Sequence, residues 1–414
     1  MPKKGREMFT VSFIGIGNRG GVYAKYFAKR DDVKIVAGCD ICEPNVMMLN
    51  ELYGVDKANL FTSEDEFFKE KRSDVLVIST LDGLHREQAV RAMALGYDVL
   101  LEKPIAPNLE DTQAIADAAH KYGRDVVICH NLRYTPFYQR IKTMLVDGVI
   151  GDLMQIEQAE NVAYHHFMLS FARGKWRKEA ETSPIILQKC CHDLDIINWF
   201  VGEKCTSLTS FGSLDYYTKE HRPSYATDKC VDCPKTECAY NALVHHTKYP
   251  GSLCVPFGFD TSPENIKRYL SDDDNPYGKC IFNGDNDVCD RQVVNMVFAN
   301  GVSANLLMHG FAAPRTDRTT RVYGSKGVIE GWLHEGKIRV TVFGQEPYDI
   351  DVNAEIIDES HLGGDAKLVY DYVDYKNGKE RPLGLSYVDD SVYSHKLAFA
   401  AEESRVMGGK TLEV

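Results

Sequence analysis

The stretch Phe9 to Gly21, FTVSFIGIGNRGG, constrains this chain more than any other. It opens on a short apolar run (Val11, Phe13, Ile14) and passes through Gly15-Ile16-Gly17-Asn18-Arg19-Gly20. Helix-spaced Val22, Tyr23, Tyr26 and Phe27 follow. A strand, then GxGxxG, then a helix is the arrangement that receives the pyrophosphate of a dinucleotide. Gly15 permits the tight turn, Gly17 lets the backbone approach a pyrophosphate, and Gly20 lets the helix pack close to the strand. The helix start beyond Ile16, at Asn18 and Arg19, offers free N–H groups and a partial positive charge to that anion.

A glycine-rich turn also occurs in unliganded α/β proteins, so the context matters. A second apolar run, Val33 to Cys39, ends in Asp40, twenty residues after Gly20. An acid at that place accepts hydrogen bonds from the adenosine ribose hydroxyls. It also repels a 2′-phosphate, so NAD is expected in preference to NADP, with Arg19 placed to moderate the preference.

The following segments keep a β-α rhythm. Helical patterns cover Asn45 to Tyr53, Glu64 to Lys71, Glu87 to Leu95 and Leu109 to Tyr122. Between them lie strands at Asp74 to Thr80, a continuous apolar run suited to a buried parallel strand, at Asp98 to Leu101 and at Asp125 to Cys129. This describes a doubly wound parallel sheet over residues 1–130. Ligands of such sheets bind beyond the C-terminal strand ends, where Thr80, His85, Glu102 and Lys103 fall.

Past Cys129 the pattern changes. After a helix at Pro136 to Leu145, alternation dominates in Leu153–Asn161, Thr206–Leu214, Val293–Phe298, Ser303–His309, Arg321–Tyr323 and Lys337–Phe343. Ala299-Asn300-Gly301 is a hairpin signal. A second, mainly antiparallel α+β domain over residues 131–414 is expected, closing with helices at Gly364 to Tyr375 and Ser386 to Met407.

Four pieces of the chain, GIGNRG, STLDGLH, VLLEKP and CCHDLDIINW, resemble the glucose-fructose oxidoreductase and inositol dehydrogenase family (Gfo/Idh/MocA). The resemblance spans essentially the whole chain, and Glu-Lys-Pro at a strand end is its most specific piece. It implies an NAD(P)-dependent oxidoreductase acting on a sugar or polyol, and a second domain with an open sheet face. It also implies a homo-oligomer, a dimer or tetramer.

Oxidation of an alcohol needs a base within reach of the hydroxyl and a group that steadies charge on its oxygen. Lys103, with Pro104 behind it, is the first candidate, against the usual fate of lysine as a solvated surface group. His192 is the second. It shares a helix face with Asp195, which could orient it or grip a substrate hydroxyl. The family pattern places an acid four residues before this histidine, where this chain has Gln188. The familiar Lys-Asp-His set is therefore incomplete. Either Lys103 and His192 suffice, Lys189 or another acid substitutes, or the chemistry is not simple alcohol oxidation. Arg133, Tyr134, His165, His166 and Trp176 are candidates to line a sugar pocket, where aromatic faces and hydroxyl-binding groups are needed. His361 to Asp365 reads as a flexible loop entering a helix, with Asp365 as its cap. The resemblance suggests that this loop lies near the site.

Composition bounds the rest. A 414-residue chain, 44% hydrophobic, buries enough surface for two domains. A net charge of −12 argues against nucleic acid and anionic membrane as partners. The start, MPKKGREMFT, has no apolar signal core, and no apolar run approaches the roughly 20 residues of a membrane span. A cytoplasmic protein is expected. Its twelve cysteines then read as reduced thiols or a metal site rather than a disulfide framework. Cys39, Cys129, Cys190 and Cys191 stand in apolar company as ordinary buried residues. An insert at about residues 215–290 holds Cys230, Cys233, Cys238 and Cys280, with Cys254 and Cys289 as spares. One reading is a structural zinc, and the other is free thiols.

Three functions compete. The leading one is an NAD-dependent oxidoreductase on a secondary hydroxyl of a sugar, glycoside or polyol. The alternative is a redox-neutral NAD-dependent glycosidase that oxidises, eliminates and reduces on the same scaffold. The third is a non-catalytic NAD- or sugar-sensing protein, against which the presence of both Lys103 and His192 argues.

Overall fold

The computed structural model describes residues 8–249, 261–358 and 360–414. Most of the leader read above and Cys254 lie outside them. The chain begins with β1 (Phe9–Ile14), α1 (Asn18–Phe27), β2 (Val33–Cys39), α2 (Glu43–Tyr53), β3 (Leu60–Phe61) and α3 (Glu64–Phe67). It continues through β4 (Val75–Ile78), α4 (His85–Ala94), β5 (Asp98–Leu101), α5 (Leu109–Tyr122) and β6 (Val126–Ile128). The six strands form one parallel sheet in the order β3-β2-β1-β4-β5-β6. The order reverses beside β1, and the glycine turn opens at that point. In doubly wound sheets this is where a ligand crevice forms. The helix expected over Glu64 to Lys71 stops at Phe67 because Arg72 intervenes. Its guanidinium donates to the carbonyls of Phe67 (2.9 Å) and Glu66 (3.1 Å) and ends the helix there.

The second half holds α6 (Pro136–Val146), β7 (Leu153–Ala163), α7 (Tyr164–Phe167), α8 (Ile185–Gln188), α9 (Cys191–Val201) and β8 (Cys205–Ser213). Next come α10 (Ala242–Lys248), α11 (Pro263–Ser271), β9 (Arg291–Phe298), β10 (Ser303–Ala312), β11 (Asp317–Gly324), β12 (Gly327–Trp332), β13 (Lys337–Val342) and β14 (Tyr348–Asp351). The chain ends with α12 (Gly364–Lys376), α13 (Val388–Val406) and β15 (Leu412–Glu413). Nine strands make a second sheet in the order β14-β13-β12-β11-β7-β10-β9-β8-β15. Every pair is antiparallel except β10 with β7. The β9–β10 hairpin turns at Gly301, whose φ of +84° suits glycine. β12 was not anticipated: two glycines in six residues blur its alternation.

Alternation along the second sheet buries Ile156, Val294, Met296, Leu306, Met308 and Ile329 against α6, α9 and α13. The two late helices cross back to the first sheet. Leu368, Val369, Tyr372 and Val373 of α12 share a core with Val11, Phe13, Val75 and Val127. Val388 and Val392 of α13 pack with Ile78 and Leu101. Ile128 N–H donates to Ser386 O at 3.0 Å. The far end of the chain therefore packs on both faces of the first sheet, α12 on one and α13 on the other. Leu368→Ala, a fully buried position, should cost about 2–5 kcal/mol. Chemical denaturation reads that loss, and a cost within experimental error would show that α12 does not support the first sheet.

Candidate active site

Gly15 turns the chain at φ +79°, and a Cβ there would stand 2.8 Å from the backbone of Ser79 and Thr80. A Cβ on Gly20 would meet Gly15 O at 2.1 Å, so only glycine lets α1 come this close. Beside Gly17, by contrast, a Cβ would meet no protein atom within 4 Å. No side chain caps α1, so the N–H groups at its start face that open space. Asp40 is fixed at the end of β2, where it accepts from Ile16 N–H (2.6 Å) and Cys42 N–H (2.8 Å). Asn45 Nδ2 also donates to it at 3.3 Å.

Arg19 does not turn toward Asp40. It donates to Glu102 (2.6 Å), Tyr23 Oη (2.6 Å) and both oxygens of Asp365 (2.6 and 3.0 Å). The guanidinium is thus committed to these partners. Burial raises the Glu102 carboxyl, but Arg19 and Lys103 outweigh it and hold that group below its usual range. Asp365 is not a helix cap, since Gly363 holds the cap position of α12. Its carboxylate accepts from Arg19, Asn131 (3.0 Å) and His361 (2.8 Å). The loop before it runs through His361 and Leu362, both at positive φ. His85 also departs from its expected place. It is buried, with Nδ1 3.1 Å from Pro104 O and Nε2 3.3 Å from Thr80 O. There the ring ties the ends of two strands together instead of facing a ligand. Thr80 donates to Gln88 (2.6 Å).

Lys103 follows β5 and leads into a cis Pro104 peptide. Its Nζ donates to the main-chain carbonyl of Gln188 at 3.4 Å. The Gln188 side chain turns elsewhere and donates to Asp82 (2.6 Å) and Ser183 (2.7 Å). Asp82 belongs to the STLDGLH loop after β4. It brings a carboxylate to the place where the familiar acid is missing. His192, in the first turn of α9, is buried, and its Nδ1 has no hydrogen-bond partner among the described residues. Burial first, and then the neighbouring Lys103 cation, hold this imidazole well below its ordinary range. It is therefore a neutral ring beside an ammonium.

Asp195 does not contact His192. It forms a bidentate pair with Arg133, both bonds 2.6 Å long and both residues buried. Two groups that satisfy each other are not free to grip a sugar ring. Tyr134 is fully buried in the core shared with Tyr372 and Leu385. His166 lies 3.2 Å from Thr316 Oγ1, and burial, then Lys189, push its ring well below the usual range. His165 stacks on His245 of α10, with centroids 6.0 Å apart, and Trp176 packs against Phe171.

Sequence reasoning passed over Glu160, Asp193 and Arg318. Arg318 pairs with Asp193 (2.9 Å) and with Glu160, and Lys189 lies 3.3 Å from Glu160. Lys189 is thereby neutralised and does not replace the missing acid. A signal existed in β7, where Gln158 and Glu160 occupy the inward register between Ile156 and Val162. Polar groups in a core register mark a place where something other than packing is served.

Cys230, Cys233, Cys238 and Cys280 border one cavity of the insert. Among the described residues, no three His, Cys, Asp or Glu side chains already converge on a metal position. Cys289 is buried in the main core instead. No disulfide joins the described cysteines. No described helix is long and apolar enough to cross a membrane.

Two family models match this chain. The oxidoreductase family, NAD-binding Rossmann fold, covers residues 9–130, and its C-terminal alpha/beta domain covers residues 142–410. A putative oxidoreductase of Bacillus subtilis, YteT, is 26% identical over 286 residues, 64% of this chain and 62% of that protein. A glycosyl hydrolase family 109 protein of Shewanella pealeana is 26% identical over 50% of this chain and 48% of its own length. The matched region thus spans less than two thirds of either relative. The fold matches an Agrobacterium radiobacter oxidoreductase, crystallised with NAD+, L-tartaric acid and magnesium, with a TM-score of 0.70. That match has 16% identity and covers 99% of this chain and 98% of the other.

The Arg133–Asp195 pair makes a direct prediction. Asp195→Ala leaves a buried guanidinium unpaired and should cost about 3–5 kcal/mol, whereas a combined Arg133→Met, Asp195→Leu exchange should recover most of that. Thermal or denaturant unfolding of the three proteins checks it, and equal losses in the single and double variants would refute the pairing.

Proposed function

The chain belongs to the Gfo/Idh/MocA oxidoreductase family, and on that premise we propose that it is an NAD-dependent oxidoreductase. Its substrate is a secondary hydroxyl, or the matching ketone, of a sugar, glycoside or polyol. One observation carries this reading: Lys103, at the C-terminal edge of the parallel sheet, reaches the Gln188 carbonyl just before α9 and is close enough for its charge to help lower the pKa of the buried His192.

The glycine turn fits a pyrophosphate, with open space at Gly17 and uncapped N–H groups at the start of α1. Asp40, held by two backbone donors, receives the adenosine ribose and disfavours a 2′-phosphate. Bound NAD supplies the hydride acceptor. Lys103 donates a hydrogen bond to the reacting oxygen and steadies its negative charge. His192, kept unprotonated by burial, accepts the hydroxyl proton. Asp82, through the Gln188 amide, supplies the negative charge that balances Lys103. Tyr164, His165, His166 and Trp176 form the wall on which the sugar ring rests.

A second reading has its own support. The same groups can oxidise a glycoside, let its aglycone leave, and return the hydride, with no net change of cofactor. The resemblance to a glycosyl hydrolase family 109 protein favours it, as does the absence of a carboxylate side chain at Gln188.

The outer face of the second sheet carries a cross-strand row of exposed Phe211, half-buried Val293 and exposed Leu307. A second copy of the chain covering that row gives the homo-oligomer, and sedimentation reads its size. Unpaired thiols suit a reducing cytoplasm.

Protein with NAD or NADP, screened on sugars, polyols and glycosides by reduced-nicotinamide absorbance and product analysis, tests both readings. Accumulating NADH supports the oxidoreductase, and released aglycone without NADH supports the glycosidase. Lys103→Ala and His192→Ala should each lower turnover about a hundredfold or more, with NAD affinity nearly unchanged. Wild-type turnover in either variant would remove the assignment. Because the His192 pKa is lowered, its base form persists at pH values below the ordinary imidazole value of about 6.5. The acid limb of kcat/KM should therefore lie below that value, and a limb at or above it would contradict the buried neutral base.

A further inference from the structure

The insert holds a feature that the proposed chemistry does not use. Cys230, Cys233, Cys238 and Cys280 line a cavity of about 20 Å³, room for about one water-sized sphere. Backbone geometry brings them there. Lys229 and Lys279 pair as an antiparallel bridge, and Cys280 N–H donates to Asp228 O at 2.8 Å. Cys230 and Cys280 thereby stand side by side although fifty positions separate them. Cys233 N–H returns to Cys230 O (3.3 Å) and closes the CxxC turn, and Asn241 N–H returns to Cys238 O (3.0 Å).

A second observation points to a ligand. Arg173 lines the same cavity and is 1% exposed. It donates to Lys279 O (2.7 Å) and Tyr240 O (2.8 Å) and lies 3.4 Å from Cys230 Sγ, while its Nη1 has no partner among the described residues. Among those residues two carbonyls and a thiol leave this guanidinium without a counter-ion, which is strongly unfavourable in a buried place. The local apolar core is also small, five buried residues around Cys230, Ile266 and Leu270. Small cores are usually stapled by disulfides or a metal.

We infer that the four cysteines close a tetrathiolate zinc site beside Arg173. Zinc binding displaces the four thiol protons and leaves a net negative charge, which the buried guanidinium balances. Zn–S bonds of about 2.3 Å draw the sulfurs inward across the cavity, since they have not converged in the protein as described. The metal then fixes Tyr240 and α10, which carry the ring contacts to Tyr164 (5.9 Å) and His165 (6.0 Å). Zinc thus acts as a clip that positions one wall of the candidate substrate pocket.

The full chain, purified without chelator, is assayed for metal by mass spectrometry and for free thiols. About one zinc per chain is expected, lost in Cys233→Ser and Cys238→Ser and retained in Cys42→Ser, an exposed thiol of the first domain. Should the serine variants not fold, cobalt exchange into the wild-type chain gives an independent readout, with thiolate-to-cobalt charge-transfer bands expected. Three results would overturn the site: wild-type protein free of zinc with four reactive thiols, iron–sulfur absorption in place of zinc, or zinc retained in both serine variants.

Discussion

The Arg19 guanidinium holds the candidate site together. It leaves the glycine turn, pairs with Glu102 at the end of β5 and with Asp365 at the start of α12, and so ties three distant segments to one point. Burying a cation and two carboxylates carries a desolvation penalty that only well-formed hydrogen bonds offset. Those bonds are present, with Tyr23 and Asn131 completing the network. Lys103 directly follows Glu102 and His361 lies close to Asp365, so the spacing between cofactor cradle, lysine and loop is set by this network.

A second group of buried charges lies under His192. Arg318 and Lys189 face Glu160 and Asp193, and Arg133 faces Asp195. Each carboxylate has its own cation, which leaves His192 with none. A buried imidazole without a carboxylate partner stays neutral. The familiar acid is absent from position 188, and this chain instead reaches a carboxylate on the opposite domain, Asp82, through an amide.

The glycine turn was plain in the sequence because its geometry is local. GxGxxG, Asp40 and the Glu-Lys-Pro strand end each follow from a few adjacent residues and the period of the elements around them. Lys103 and His192 could be nominated because each ends or begins a regular element. The roles of Asp195, Arg133 and Tyr134 were not legible, since helix periodicity puts Asp195 and His192 on one face without saying what each meets. Arg133 takes Asp195 away from the histidine, and Tyr134 disappears into a core completed by α12. Glu160 could have been found as a charge in a core register of β7. Arg318, its partner, is 158 residues away and carried no such mark.

By itself, the sequence determined the element types, the parallel first sheet, the mainly antiparallel second sheet and the place of the cofactor cradle. These depend on periodicity, turn chemistry and backbone freedom, which act over a few residues. Tertiary structure decided that α12 and α13 return to the first sheet, that Arg19 faces Glu102 and Asp365, and that Gln188 joins Asp82. It also decided that four cysteines share one cavity with a buried arginine. The Arg19 pairings alone span 83 and 346 residues. Burial and charge compensation select among many partners that local patterns leave equivalent.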